Sequence, residues 1–165
     1  MRNDAASNSP GQMEAINWGN GWGGAFHPGK PDADDPDNVP GPHVMADLES
    51  GVWAGDNAEV NPTNTDVRAR YVTAMLKGGR AGSNHWQIKG GDAQRDGALR
   101  TLFDGQRPDG YSPMHKQGAI VLGIGGDNSD FGVGTFYEGA MTANYTSDTT
   151  DAAVHANIAA AGYGK

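Results

Sequence analysis

The sequence predicts an all-β protein, a two-sheet sandwich with one short helix near its C-terminus. Glycine is abundant, at 26 of 165 residues, and 9 prolines accompany it. The glycines are scattered and lack the every-third-residue period of collagen, so they indicate many tight turns. Short apolar runs of strand length separate these turns, and only the C-terminal segment has helical spacing.

Seven segments have the composition or the alternation of β-strands: 13–18, 44–53, 67–76, 85–89, 98–103, 119–124 and 135–141. Asp96-Gly97, before the fifth of them, is typical of a hairpin turn. Trp86 lies in an apolar strand, so we expect it to pack in the core. A Gly-, Pro- and Asp-rich segment, 19–42, forms a long loop, and loops of that length in a compact domain are either functional or disordered.

The predicted helix follows residue 147. Ser147 or Thr149 can cap its first turn, and Gly162 can end it. Two acidic residues favour the positive end of the helix dipole: Asp148 and Asp151. Spacing of i, i+4, i+7 predicts an apolar buried face made of Val154, Ile158 and Ala161.

Charge and composition exclude several classes of protein. The formal net charge is -8, which argues against nucleic acid as a partner, since phosphate binding needs clustered Lys and Arg. The chain has no Cys, so thiolate metal sites and thiol redox chemistry are excluded within it. The five His lack zinc-ligand spacing, and no apolar run is long enough for a membrane span. We therefore expect no metal, no cofactor and no membrane partner.

Three places could carry chemistry. Asp47 and Glu49 would project from one strand face about 7 Å apart, and their repulsion would raise the pKa of one of them. Asp127 follows Gly125-Gly126 at the end of an apolar strand, where glycine lets a ligand approach the backbone. Taken alone, the Asp-x-Glu triplet also fits an exposed strand face, and Asp127 also fits an Asx-turn.

Trp22 lies in the Gly-rich loop and has no aliphatic neighbours, so its ring could stack on the apolar face of a sugar. Asn144-Tyr145-Thr146 matches the acceptor motif for N-glycosylation. The acidic stretch 32–37 could bind calcium but lacks the Gly and the terminal Glu of an EF-hand loop, so we interpret it as a solvated loop.

Several segments together resemble one family, the fungal-type α-L-arabinofuranosidases of glycoside hydrolase family 54. They include MEAI at 13–16, WGN at 18–20, MADLESG at 45–51, YSPMHK at 111–116, GAIVLGIGGDNS at 118–129 and GTFYEGAMT at 134–142. The resemblance covers nearly the whole chain in order. It implies a concanavalin-like or jelly-roll β-sandwich, of which the chain is a part.

The resemblance also implies a retaining hydrolase that releases terminal arabinofuranosyl units from arabinan or arabinoxylan. Glu49 would be the nucleophile and Asp127 the acid/base, about 5–5.5 Å apart. The resemblance assigns four further residues to the sugar: Asp47, Trp22, Ser50 and Gly126. Ser50 stands where the family usually has Asn. The alternatives are a β-xylosidase and a non-catalytic sugar-binding sandwich.

The family's catalytic domain is about twice as long as this chain. We therefore expect residues 1–165 to be its C-terminal part, with the N-terminal half and the arabinose-binding module absent. The family is extracellular, whereas residues 1–8 are polar and lack the apolar core of a secretion signal. An extracellular location is thus an expectation from the resemblance alone.

Overall fold

The computed structural model describes residues 2–3, 15–19, 41–47, 52–56, 64–79, 84–108, 116–117 and 134–165. In these ranges the chain forms eight β-strands and one α-helix. The elements are β1 (Arg2–Asn3), β2 (Ala15–Gly19), β3 (His43–Asp47), β4 (Val52–Trp53), β5 (Val72–Gly78), β6 (His85–Asp92), β7 (Arg100–Gln106), β8 (Lys116–Gln117) and α1 (Asp148–Ala161).

The strands form antiparallel sheets. One three-stranded sheet has the order β2-β3-β4, a second has the order β5-β6-β7, and β1 pairs with β8. Predicted segments 13–18, 85–89 and 98–103 correspond to β2, β6 and β7. Segment 44–53 is two strands, β3 and β4, rather than one, and segment 67–76 becomes a strand only from Val72.

One core joins the two three-stranded sheets. It contains buried side chains from β3, β6, β7 and the segment before β5, namely Val44, Ala46, Val67, Trp86, Ile88, Leu102 and Phe103. Trp86 is fully buried, as predicted, and its Nε1 donates to the Gln106 carbonyl 2.9 Å away. The sandwich expected from the sequence is confirmed.

A register shift between Ile88 and Lys89 lets β7 place two successive side chains in this core. Ile88 pairs with Phe103 and Lys89 with Thr101, so Leu102 is the extra residue of a β-bulge. At Gly90 an added Cβ would lie 2.8 Å from Val44 and 2.9 Å from Leu102. Glycine at this position therefore allows the two sheets to approach.

The other face of the β5-β6-β7 sheet is covered by α1. Ser147 caps the helix by accepting a hydrogen bond from the Thr150 amide, and Gly162 ends it in the left-handed conformation at φ 74°. Both caps agree with the sequence, and of the two candidate N-caps the structure uses Ser147.

The prediction that Val154, Ile158 and Ala161 form the buried face of α1 is wrong. The buried residues are Asp151, His155 and Ala159, whereas Val154 is 44% exposed. The physical reason is that the strands beneath offer lysine and hydroxyl groups, with which acidic and imidazole side chains pair better than aliphatic ones do.

The predicted strand 135–141 is also absent. Residues 134–140 have no regular secondary structure and are exposed, although they are apolar in part. A strand needs a hydrogen-bonding neighbour, and none of the described strands pairs with this segment. The predicted strand 119–124 lies outside the described residues. Among the described residues, no helix combines the length and the apolar character that a membrane span requires.

Candidate functional site

Asp47 is the one predicted site residue whose backbone the structure describes. It is the last residue of β3, the central strand of its sheet, and it pairs with Ala15 on β2 and with Val52 on β4. Both neighbours fix the backbone at this point. Glu49 and Ser50 lie in the connection from β3 to β4, outside the described residues, and so do Trp22, Gly126 and Asp127.

The strand that leads to this position is buried on both faces. Val44 and Ala46 pack in the shared core, while Met45 packs with Ala54 on the opposite side. His43 is buried as well. Because packed strands hold their backbone more rigidly than loops do, β3 is a firm support for Asp47 and for the residues that follow it.

Asn64 ties β3 to the chain that leaves β4. Its buried amide donates to the carbonyls of Val44, at 2.9 Å, and Ala54, at 3.0 Å. Its carbonyl oxygen lies 3.3 Å from Nδ1 of His43. Since β4 ends at Trp53, this side chain bridges the two chains beyond the last pair of the ladder.

Two tryptophans flank the same sheet. Trp18 on β2 pairs across with Val44, and its Nε1 donates to the Val67 carbonyl at 3.3 Å. Trp18 is still 42% exposed, and Ile16 on the same strand is 50% exposed. Trp53 on β4 pairs with Ala46 and packs against the core. An exposed aromatic ring beside β3 is the kind of surface that stacks on a sugar.

A second polar cluster, which the sequence did not predict, lies between α1 and its sheet. Asp151 Oδ2 is 2.7 Å from Nζ of both Lys77 and Lys89, and Asp148 Oδ1 is 2.7 Å from Nζ of Lys89. Thr146 donates its hydroxyl to Asp151. The available signal was one lysine in each of the two strands, Lys77 after Leu76 in β5 and Lys89 after Ile88 in β6, together with the acidic residues in the first turn of the helix.

The charges in this cluster shift one another's pKa values. Burial alone would lower the pKa of Lys89, but its bonds to Asp148 and Asp151 outweigh burial and raise it. Burial alone would raise the pKa of Asp151, but bonds from Lys77, Lys89 and Thr146 together lower it. The hydrogen bond from Lys89 lowers the pKa of Asp148. Lys89, Asp148 and Asp151 are therefore ionised at neutral pH, and the cluster, which we call the clamp, holds α1 to its sheet.

A pocket of about 320 Å³ opens beside the clamp, lined by Lys89, Asp96, Gly97, Leu99, Thr101, Asp148, Ala152 and His155. His155 is held by Thr73 at 3.0 Å and by the Arg95 carbonyl at 2.9 Å, so Nε2 carries a proton. In the described part of the chain, no three acidic or histidine side chains are grouped to hold a metal ion.

Comparison with known proteins decides the family. The family model described as "Alpha-L-arabinofuranosidase B, catalytic" matches residues 2–164. The chain belongs to this family. Among similar α-L-arabinofuranosidases, the "Arabinofuranosidase/B-xylosidase" of Trichoderma koningii is 47% identical over 157 residues, and the "Alpha-L-arabinofuranosidase B" of Emericella nidulans is 45% identical over 156 residues. Each alignment covers 93% of this chain and 28% of the relative.

Solved arabinofuranosidase structures show the same fold. One, complexed with arabinofuranosyl-α-1,2-xylobiose, has a TM-score of 0.75 and 41% identity. Another is a glutamate-to-glutamine mutant of a GH54 α-L-arabinofuranosidase soaked with 4-nitrophenyl α-L-arabinofuranoside, with a TM-score of 0.73 and 42% identity. Both matches cover 93% of this chain and 30% of the solved chain. The chain thus spans under a third of the length of these arabinofuranosidases.

Proposed function

We propose that the chain carries the two catalytic carboxylates of a retaining α-L-arabinofuranosidase. The observation that supports this most strongly is the family match over residues 2–164, joined to solved relatives that hold arabinofuranosyl ligands. Glu49 and Asp127 are the proposed nucleophile and acid/base. In the sequence, Glu49 comes two residues after the end of the buried strand β3, and Asp127 follows Gly125-Gly126.

The first chemical step forms a covalent sugar ester. A carboxylate oxygen of Glu49 attacks the anomeric carbon of a terminal arabinofuranosyl unit while the bond to the leaving oxygen breaks. Asp127 gives its proton to that oxygen, so the leaving group departs as a neutral alcohol. This step requires the two carboxyl groups to be about 5–5.5 Å apart, which leaves no room for a water molecule between them.

The second step releases the sugar. Asp127, now ionised, takes a proton from a water molecule whose oxygen attacks the anomeric carbon, and the ester bond to Glu49 breaks. Arabinose leaves with its original anomeric configuration, because two inversions have occurred. Asp47, Trp22, Ser50 and Gly126 are proposed to contact the sugar and to hold it in the reactive orientation.

The proposed substrates are arabinan and arabinoxylan side chains. The relative bound to arabinofuranosyl-α-1,2-xylobiose supports a xylan-linked arabinose. An extracellular location is part of the same proposal, because such polymers are too large to cross a cell membrane.

Release of 4-nitrophenol from 4-nitrophenyl α-L-arabinofuranoside tests the proposal. Glu49→Gln should lower turnover about 10⁴-fold while ligand binding persists, since the amide keeps the shape but loses the nucleophile. Glu138→Gln is the matched control, because Glu138 is exposed and accepts a hydrogen bond from the Tyr163 hydroxyl that the amide oxygen can retain. Equal turnover in both variants would exclude Glu49 as the nucleophile.

A β-xylosidase is the second candidate, and it is favoured by the similarity to the "Arabinofuranosidase/B-xylosidase" of Trichoderma koningii. Both sugars are pentoses, so the two activities can share a site. Turnover is measured under one condition on an aryl α-L-arabinofuranoside and on an aryl β-xyloside. The glycoside that is hydrolysed faster identifies the main activity. Binding without any turnover on either glycoside would instead indicate a sugar-binding module.

A further inference from the structure

The motif Asn144-Tyr145-Thr146 has no role in the proposed hydrolysis. It is the only Asn-x-Ser/Thr sequence in the 165 residues with a residue other than proline in the middle. Asn61-Pro62-Thr63 has the outer residues, but its proline makes it unsuitable as an acceptor. One candidate glycosylation site therefore exists in the chain.

The structure presents Asn144 to solvent. Asn144 lies in a bend that precedes α1, and its side chain is exposed. Thr142 donates its side-chain hydroxyl to the main-chain carbonyl of Asn144 at 2.9 Å, which holds the bend without using the Asn144 side chain. Because Asn144 is exposed, a bulky group on its side chain has access to solvent.

The other two residues of the motif face inward. Nζ of Lys77 lies 4.2 Å from the centre of the Tyr145 ring, and the His85 ring meets the same ring edge-on at 6.1 Å. Thr146 donates its hydroxyl to the buried carboxylate of Asp151 at 2.5 Å. Within the motif, Asn144 is therefore exposed, whereas Tyr145 and Thr146 contact the rest of the fold.

We propose that Asn144 is an N-glycosylation site of this protein in a eukaryotic secretory pathway. The Emericella and Trichoderma relatives come from organisms that have this pathway, and the site rests on the extracellular location proposed above. A glycan on Nδ2 of Asn144 extends away from the fold without displacing Tyr145 or Thr146. The folded protein therefore tolerates the modification.

The hydrogen bond of the Thr146 hydroxyl also determines whether glycosylation comes before or after folding. The hydroxyl of the third residue is part of the motif, and in the folded chain it is bonded to Asp151 and half-buried. The transfer of the glycan must therefore precede the docking of α1 on its sheet. After folding, the glycan is a bulky, solubilising group next to exposed apolar residues of the same segment, such as Met141.

Expression of the full chain behind a secretion signal in yeast tests the site. Cleavage by peptide N-glycosidase should shift the band on a gel and convert Asn144 to Asp, a mass increase of about 1 Da in that peptide. Asn144→Gln should abolish the shift. Asn157→Gln, at an exposed helical position outside any motif, and Thr146→Ser, which keeps the hydroxyl, should both retain it.

Material from the endoplasmic reticulum is analysed beside the secreted fraction, so the result does not depend on folding or on hydrolase activity. Absence of the shift in the unaltered chain, or its persistence in Asn144→Gln, would overturn the proposal. Chains made in bacteria provide a further comparison: there, Thr146→Ala should lower the melting temperature through the lost bond to Asp151, whereas Asn144→Gln should not.

Discussion

Asp151 of α1 and Lys77 of β5 form an ion pair with Oδ2 and Nζ 2.7 Å apart, and the two side chains are only 3% and 6% exposed. Lys89 of β6, 5% exposed, shares the same carboxylate oxygen. One buried carboxylate therefore contacts two buried ammonium groups and fixes the helix to two neighbouring strands, while Asp148 supplies the second negative charge, with Oδ1 2.7 Å from Lys89 and 3.5 Å from Lys77. Removal of Asp151 leaves these two ammonium groups with the exposed Asp148 carboxylate as their remaining acidic partner among the described residues.

Substitution of Asp151 should destabilise the fold strongly. Asp151→Ala removes the buried carboxylate that the two lysines share and leaves them the exposed Asp148, and we expect a loss of about 3–5 kcal/mol in the free energy of unfolding, measured by urea titration. Asp148→Ala is the control, because the Asp148 side chain is 76% exposed and its loss should matter far less. Equal losses of unfolding free energy in Asp151→Ala and Asp148→Ala would show that the buried carboxylate of Asp151 contributes no more to stability than the exposed one.

The clamp also predicts how stability varies with pH. The pKa of Asp151 is held below its ordinary value near 3.8, so its contribution is complete above that value and is lost as the pH falls through the lowered pKa. The pKa of Lys89 is held above 10.5, so its contribution is complete below that value and is lost as the pH rises through the raised pKa.

Unfolding free energies measured across this range should thus form a plateau with an acid limb and an alkaline limb. Asp151→Asn should flatten the acid limb, since the amide does not titrate. An acid limb of unchanged steepness in that variant would mean that other carboxylates control the response to acid.

The helix cap gives a prediction with an internal control. Ser147→Ala should cost about 1 kcal/mol, because the Thr150 amide loses its acceptor. Thr149→Ala should cost little, since Thr149 lies inside α1 and is exposed. Thermal unfolding followed by circular dichroism compares the two, and a larger effect at Thr149 would place the cap there instead.

Asn64 should matter more than a polar loop residue usually does. Asn64→Ala removes the two hydrogen bonds that reach the buried carbonyls of Val44 and Ala54, and we expect a cost of about 1–3 kcal/mol in the free energy of unfolding. Asn157→Ala, at an exposed position of α1, should be neutral or slightly stabilising. A neutral Asn64→Ala, judged by the urea midpoint, would refute the bridging role.

The sequence predicted what depends on local chemistry. Ser147 and Gly162 were identifiable as caps because capping needs one side chain or one backbone conformation, and Trp86 as a core residue because its strand is apolar. The buried face of α1 was not predictable, since His155 and Asp151 are buried by partners more than 60 residues away in the chain.

Strand pairing sets a second limit. Segment 135–141 was a strand candidate by its composition, yet a strand forms only where a neighbouring strand provides hydrogen-bond partners. The break between β3 and β4 has the same cause, because alternation alone does not show where a turn interrupts a run. For the candidate site, sequence and structure meet at Asp47, which was predicted inside a strand from 44 to 53 and is the last residue of β3. The convergence of Glu49 and Asp127 stays a prediction.

Covalent labelling tests that convergence most directly. An arabinofuranose-configured cyclic sulfate reacts with a retaining nucleophile at the anomeric carbon, and a solved relative has been soaked with a cyclic sulfate inhibitor. Fragment-ion mass spectrometry of the labelled chain should place one adduct on Glu49, and Glu49→Gln should take up none. An adduct on a different carboxylate, or none on the unaltered chain at saturating inhibitor, would contradict the assignment of Glu49 as the nucleophile.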